Sequence, residues 1–228
     1  MIRIASFNIY NDYKKDPINK SKWILKFCYK YKIDVLGLQE LFKKCEVNIL
    51  PSLKENNYSI NGRYRYPKIF SRYNEKVPII TNKEIVNVKT YSLPYFPSLT
   101  RRVVTEVVII NNNKKISIFN THLEYKNEKV KKKQLKQLLN IIKQTTNPVI
   151  LMGDFNLKNN KEVFKQFIED LKVLNIRLIE TDDKTLKRSK YHRAIDHIFV
   201  SKEFKVLSKN IIKDIPISDH YPVLVDIQ

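Results

Sequence analysis

The sequence predicts an α/β protein in which two packed, mainly antiparallel β-sheets are flanked by helices, a four-layer α/β/β/α sandwich. Strand patterns outnumber helix patterns, and the helices are dispersed among the strands. Short apolar runs such as Ile33 to Leu38 read as strands buried on both faces. With 43% hydrophobic residues, 13 tyrosines and 11 phenylalanines in 228 residues, the chain has the material for a sizeable core. Residues 1–228 are therefore expected to form a single domain.

Ile2 to Ile9 alternates and is rich in β-branched and aromatic side chains, which predicts a strand, followed by a polar loop from Asn11 to Asn19. Trp23, Ile24, Phe27 and Tyr31 then fall on one face of a helix. The Ile33 to Leu38 strand delivers Gln39 and Glu40 at its end. From Tyr58 to Asn120 the period is close to two, with strands expected at Tyr66–Ser71, Val77–Ile80, Ile85–Leu93, Val103–Ile110 and Ile116–Phe119. Asn111, Asn112 and Asn113 mark a hairpin turn between the last two. A basic amphipathic helix follows, Glu128–Gln144, with Val130, Leu135, Leu138, Leu139 and Ile142 inward. Pro148–Met152 reads as a strand, Lys161–Leu174 as a helix, and Ile195–Val200, Phe204–Ile211 and Val223–Ile227 as strands. No repeat, low-complexity tract or linker interrupts the pattern.

The formal net charge of +20 would draw polyanions through a long-range field. Lysine greatly outnumbers arginine, and asparagine and isoleucine are abundant, as an AT-rich genome imposes whatever the function, so the charge serves only to break ties. Two cysteines, Cys28 and Cys45, cannot make the disulfide framework of a small secreted domain. The first residues read as a core strand and not as a leader, and no apolar run approaches bilayer length. The expectation is a cytoplasmic monomer without stable membrane association.

Polar residues recur where expected strands stop. They are Asn8, Glu40, Asn120 with His122, Asp154 with Asn156, Asp196 with His197, and Asp219 with His220. One such end is bland, whereas the recurrence points to strand tips converging on a site. Hydrolysing a phosphodiester requires neutralising the phosphate, making a nucleophile from water, and supplying a proton to the leaving oxygen. Carboxylates and carboxamides suit a hard ion such as Mg²⁺, and histidines suit proton movement. A soft-metal site would need more sulfur or histidine than two cysteines and four histidines provide in clusters.

The ordered set SFNI (Ser6–Ile9), LQE (Leu38–Glu40), NTHLE (Asn120–Glu124), GDFN (Gly153–Asn156), IDHIFVS (Ile195–Ser201) and SDHYPV (Ser218–Val223) resembles the endonuclease/exonuclease/phosphatase (DNase I-like) superfamily across nearly the whole chain. The resemblance implies a Mg²⁺-dependent phosphoric ester hydrolase, with Mn²⁺ able to substitute. Glu40 would be the principal metal carboxylate, with Asn8 beside it and Asp219 a second ligand. Asp154 and Asn156 would hold the attacking water and a phosphate oxygen. His220 would contact the phosphate or act as base, oriented by Asp196. His122 would hydrogen-bond the phosphate or protonate the leaving group. Asn120, Arg101 and Arg102 are candidates for binding substrate. Glu124 and His197 read as structural, and Asp226 as a surface residue near the terminus.

The stretch carrying Arg63, Arg65, Lys68 and Arg72 among Tyr58, Tyr64, Tyr66 and Tyr73 could form a stacking surface for nucleic acid, although an ordinary two-sided strand region accounts for it better. Pro94, Tyr95, Phe96 and Pro97 could form a lip beside the cleft, and loop packing accounts for them equally well. The repair-endonuclease branch would carry tyrosine, proline and asparagine where this chain has Asn120, Thr121 and His122, so abasic-site cleavage loses support. The charge favours a nuclease acting on DNA or RNA. The alternative is a phosphatase or sphingomyelinase-like hydrolase of sugar phosphates or phospholipids. A degenerate binding module is disfavoured because every expected catalytic position is filled.

Overall fold

The computed structural model describes residues 1–11, 17–66, 74–181, 184–187 and 194–228. The elements run β1 (Ile2–Asn8), α1 (Pro17–Lys30), β2 (Val35–Gln39), β3 (Leu41–Phe42), α2 (Lys43–Glu55), β4 (Ser59–Asn61), β5 (Glu75–Lys76), β6 (Ile79–Thr81) and β7 (Glu84–Leu93). The chain continues through β8 (Arg102–Asn111), β9 (Lys114–His122), α3 (Glu128–Ile142), β10 (Val149–Asp154), α4 (Glu162–Val173), β11 (Ile176–Ile179), β12 (Asp196–Ser201), β13 (Val206–Ile211) and β14 (Val223–Ile227). The expected strand at Tyr66–Ser71 falls almost entirely outside the described residues, as do Lys68, Arg72 and Tyr73.

Two six-stranded sheets form, ordered β13-β14-β1-β2-β6-β4 and β11-β12-β10-β9-β8-β7. They meet over a core that includes Ile4, Val35, Val107, Ile118, Ile150, Ile198 and Val225. The alternate residues of the same strands face outward into two further cores. Phe7 and Leu36 pack with Phe27 of α1 and Ile49 of α2, while Phe119 and Leu151 pack with Leu138 of α3 and Phe164 of α4. Both sheets are thus covered on each face. That is why their central strands read as nearly unbroken apolar runs.

The hairpin between β8 and β9 turns through Asn112 and Asn113, both at positive φ, as asparagine-rich tight turns do. Helix α3 starts where the Asn127 side chain accepts the Val130 N–H at 3.1 Å. Sequence periodicity does not reveal α2, β11 or the short strands β3, β4 and β5. In α2, Cys45, Ile49 and Leu53 are buried at four-residue spacing, and Pro51 lies inside the helix and masks that signal.

Register explains why the polar tips meet. Strand β1 runs parallel to β2, with Asn8 opposite Gln39. Strand β9 runs parallel to β10, with His122 opposite Asp154. Antiparallel β12 begins with Asp196 opposite Asp154, and antiparallel β14 begins near Ser6, directly after the His220 turn. All these ends lie at one rim of the sandwich. Gly37 allows the sheets to close there, since a Cβ would stand 2.5 Å from Met152 Sδ and 2.9 Å from the Asn120 side chain. Among the described residues no helix is long and apolar enough to cross a membrane.

Candidate active site

At this rim Asp154 is the hub. Its Oδ1 accepts the Asn156 N–H at 2.9 Å, and its Oδ2 accepts from Asn8 Nδ2 at 3.0 Å. The same Asn8 Nδ2 donates to Glu40 Oε1 at 3.1 Å, so one amide group holds two carboxylates together across the sheets. Glu40 is also fixed by the Asn11 N–H, 2.6 Å from its Oε2, and sits at a φ of 62°. Left-handed backbone is uncommon for a glutamate and characteristic of strained functional positions.

His220 Nδ1 lies 2.8 Å from Asp196 Oδ2, and its Nε2 lies 3.8 Å from Asp154 Oδ2. Burial works against a charge on this imidazole, but the Asp196 carboxylate overrides it, helped by Asp154 and Asp219, and the pKa rises to about 10. The carboxylates around His220 thus favour its imidazolium form. Burial and the neighbouring Asp196 push Asp154 the other way from a normal carboxylate, up to about 7. The backbone supports the pair, because the Thr185 hydroxyl accepts the Ile195 and Asp196 N–H groups at 3.0 and 3.2 Å. Ser218 ties the His220 turn to β1 by donating to Asn8 O at 2.6 Å.

His122 also turns Nε2 toward this centre, 3.5 Å from Asp154 Oδ2 and 4.0 Å from Glu40 Oε1. Its Nδ1 lies 2.9 Å from an Arg65 Nη2. A guanidinium can only donate, so Nδ1 accepts and the proton sits on Nε2. Burial, then Arg102 and Arg65, hold His122 well below the usual imidazole pKa. His122 is a neutral hydrogen-bond donor, and this environment does not suit delivery of a proton to a leaving group.

The structure redistributes several expected roles. Asn120 is fully buried, donating to Leu38 O and Pro78 O at 2.8 Å each and accepting from Gln39 Nε2 at 2.8 Å. It is a clamp between the sheets with no atom left for substrate. Asn8 turns its NH₂ toward the carboxylates, which it bridges, while its oxygen accepts the Tyr10 N–H at 2.9 Å. Asn156, at a φ of 52°, spends its Nδ2 on Leu123 O at 3.2 Å. Asp219 is half-buried beside His220 and lies outside the close group formed by Asp154, Asp196 and His220. Arg102 is 4% exposed near Asp154 and Glu40, and burial lowers its pKa to about 10. Arg101 lies on the exposed rim, its guanidinium over the rings of Tyr66 and Tyr95.

Arg65 and Glu75 join the site without any signal in the sequence motifs. Arg65 pairs with Glu75 Oε2 at 2.5 Å, and Glu75 Oε1 accepts from Asn11 Nδ2 at 2.7 Å. This chain of contacts links His122 to the loop that holds Glu40. Glu124, His197 and Asp226 lie in structural contacts, with the Ser98 hydroxyl, Leu157 O and Arg3 respectively.

Asp154, Asp196 and His220 each offer one ligand atom, all within 4.8 Å of one another. With Nδ1 against Asp196, His220 has Nε2 as its remaining ligand atom. Glu40 and Asp154, drawn together by the single amide of Asn8, offer carboxylate oxygens that suit a hard divalent cation.

The fold and this acidic, imidazole-lined rim define a phosphoester hydrolase of the two-sheet class. A family model matches residues 5–220, and the chain belongs to the endonuclease/exonuclease/phosphatase family. It is similar in fold to an endonuclease/exonuclease/phosphatase from Bacteroides vulgatus, with a TM-score of 0.84 and 20% identity, covering 100% of this chain and 98% of that one. A mannosyl-6-phosphatase of Bacteroides thetaiotaomicron gives a TM-score of 0.83 at 19% identity, with 100% of both chains covered. The human Nocturnin catalytic domain, with a bound sulfate anion, gives 0.79 at 21%, covering 100% and 94%. No curated protein matches the sequence.

Proposed function

We propose that this chain is a divalent-metal-dependent hydrolase of phosphate esters whose substrates are nucleic acids or nucleotides. One observation carries the reading: a single carboxylate oxygen, Asp154 Oδ2, faces an Asn8 amide, the His122 donor and the His220 imidazolium, with Glu40 alongside. Glu40 and Asp154 would hold Mg²⁺, or Mn²⁺ in its place, which when bound supplies Lewis-acid neutralisation of phosphate charge. Asp154, held in line by Asn156 and Asn8, would orient an attacking water by accepting its hydrogen bond. His220 offers Nε2–H to a phosphate oxygen while Asp196 keeps the ring charged. His122 donates from Nε2, and Arg102 adds positive charge beside it. The net charge of +20 favours a polyanionic substrate.

A second reading, hydrolysis of small sugar or lipid phosphate esters, is favoured by the depth of the site, where Asp154, Asp196 and His220 are all buried. A panel of DNA, RNA, nucleotides, sphingomyelin and sugar phosphates, run with Mg²⁺, Mn²⁺ or EDTA, separates the two. Turnover of nucleic acid or nucleotides, abolished by EDTA and steeply weakened by salt, is expected. Undiminished turnover in EDTA would overturn the metal-dependent mechanism, and turnover of sugar or lipid phosphates alone would establish the second reading.

A further inference from the structure

The stretch read as a possible stacking surface and the stretch read as a possible lip beside the cleft come together in space, at Tyr66 and Arg101. Tyr66 donates its hydroxyl hydrogen to Leu99 O at 3.2 Å and accepts the Arg101 N–H at 3.1 Å. The Arg101 guanidinium lies 5.7 Å from the Tyr66 ring centroid and 5.4 Å from that of Tyr95. Phe96 and Leu99 stand beyond them, 80% and 93% exposed.

Position ties this patch to the site. Tyr66 directly follows Arg65, which bonds His122, and Arg101 directly precedes the buried Arg102. In each pair one residue enters the catalytic rim and its neighbour faces solvent. The loop is also braced at its base, where Pro94 O accepts from Gln134 Nε2 at 2.8 Å and Ser98 donates to Glu124 at 2.5 Å. A braced loop loses little freedom on binding, so contacts at its tip are not spent on ordering it.

We infer that Tyr66, Tyr95, Phe96 and Arg101 form a stacking subsite for the nucleobase attached to the scissile phosphate, a reading that rests on the proposed phosphoester hydrolysis. Ring faces and a planar guanidinium stack on any base without reading its hydrogen-bonding edge, so the subsite accepts all bases. A lipid surface is the weaker partner for this tip. Inserting it would carry Arg101 toward hydrocarbon, where a guanidinium is costly.

The test compares adenosine 5′-monophosphate, ribose 5-phosphate and inorganic phosphate as ligands, by direct titration in the presence of Mg²⁺. In the unaltered protein the nucleotide binds about tenfold more tightly than ribose 5-phosphate, the range that stacking of one base supplies. Phe96→Ala and Arg101→Ala each erase most of that ratio, and both positions are exposed, so folding is preserved. Equal affinity for nucleotide and ribose phosphate in the unaltered protein overturns the subsite while leaving phosphoester hydrolysis standing. Base-dependent binding without turnover of any phosphate ester supports the subsite and removes the proposed activity. Binding to anionic phospholipid vesicles that Phe96→Asp abolishes, with nucleotide affinity unmoved by the alanine variants, overturns it in favour of a lipid-facing loop.

Discussion

His220 and His122 direct Nε2 at the same oxygen, Asp154 Oδ2, from 3.8 and 3.5 Å, and both are buried. What stands behind each ring differs. Asp196 backs His220 and overrides burial to raise it to about 10, whereas burial, then Arg102 and Arg65, drives His122 far below the normal range. Two identical side chains at similar depth thus become a cation and a neutral donor. At His220 a carboxylate on the far nitrogen outweighs burial, and at His122 burial is unopposed while Arg65 fixes which nitrogen keeps the proton.

The largest break in this comparison comes from the charged side. His220→Ala is expected to lower kcat about a thousandfold, the scale of losing a positioned proton-bearing group. Asp196→Asn keeps the ring but removes its main counter-charge, so the alkaline fall in activity moves to well below pH 10. A pH–rate profile of Asp196→Asn that matches the unaltered enzyme would dissolve the assigned roles.

Next in size are opposite stability limbs, measured by denaturant unfolding in EDTA. His220 is raised in the folded state, so its contribution is complete below about pH 6.5 and is lost as pH climbs through about 10. His122 is lowered, so its contribution holds above the unfolded value and is lost as pH falls below about 6.5. His197, pushed down to about 4 by burial, adds to the acid limb. Each limb is expected to span a few kcal/mol at most, since a tenfold change in proton affinity on folding corresponds to about 1.4 kcal/mol. His220→Gln should flatten the alkaline limb, and His122→Gln should shrink the acid limb while leaving the part that His197 contributes.

A smaller effect tests the tautomer. Arg65→Met removes the donor to Nδ1 and should cost roughly tenfold in kcat/KM, and ¹⁵N NMR should show His122 sampling both neutral tautomers. A single Nε2–H form in that variant would show that Arg65 does not set it. The smallest effect is remote. Asp226 is held below the usual carboxylate range by Arg3, 2.7 Å away. Its contribution is present above about pH 4 and lost as pH falls through its lowered value. Asp226→Asn should cost about 1 kcal/mol, discounted for partial exposure, and reshape neither histidine limb.

Much of this arrangement can be read from the chain. Strand tips ending in Glu40, His122, Asp154, Asp196 and His220 are legible because each follows an apolar run, and parallel pairing places such tips at one rim. The side-chain duties of the asparagines are not. A carboxamide at a strand end serves a ligand, a clamp or a bridge equally well, and only the cross-sheet neighbours of Asn120 and Asn8 decide. Arg101 and Arg102 look interchangeable until strand alternation puts one in solvent and the other in the site. Arg65 reads as surface because its buried partners, Glu75 and His122, lie far along the chain.

The Asn120 clamp has one more consequence. Because its amide hydrogens bind carbonyls at Leu38 and Pro78, the strand end leading to Glu40 and the strand leading to His122 are held by a common bolt. Backbone amides at this rim should exchange with deuterium only in the rare openings that disrupt the whole protein, and thermal inactivation should coincide with global melting. Among the described residues the catalytic constellation is then ready-made, and a ligand entering it meets groups already held in place.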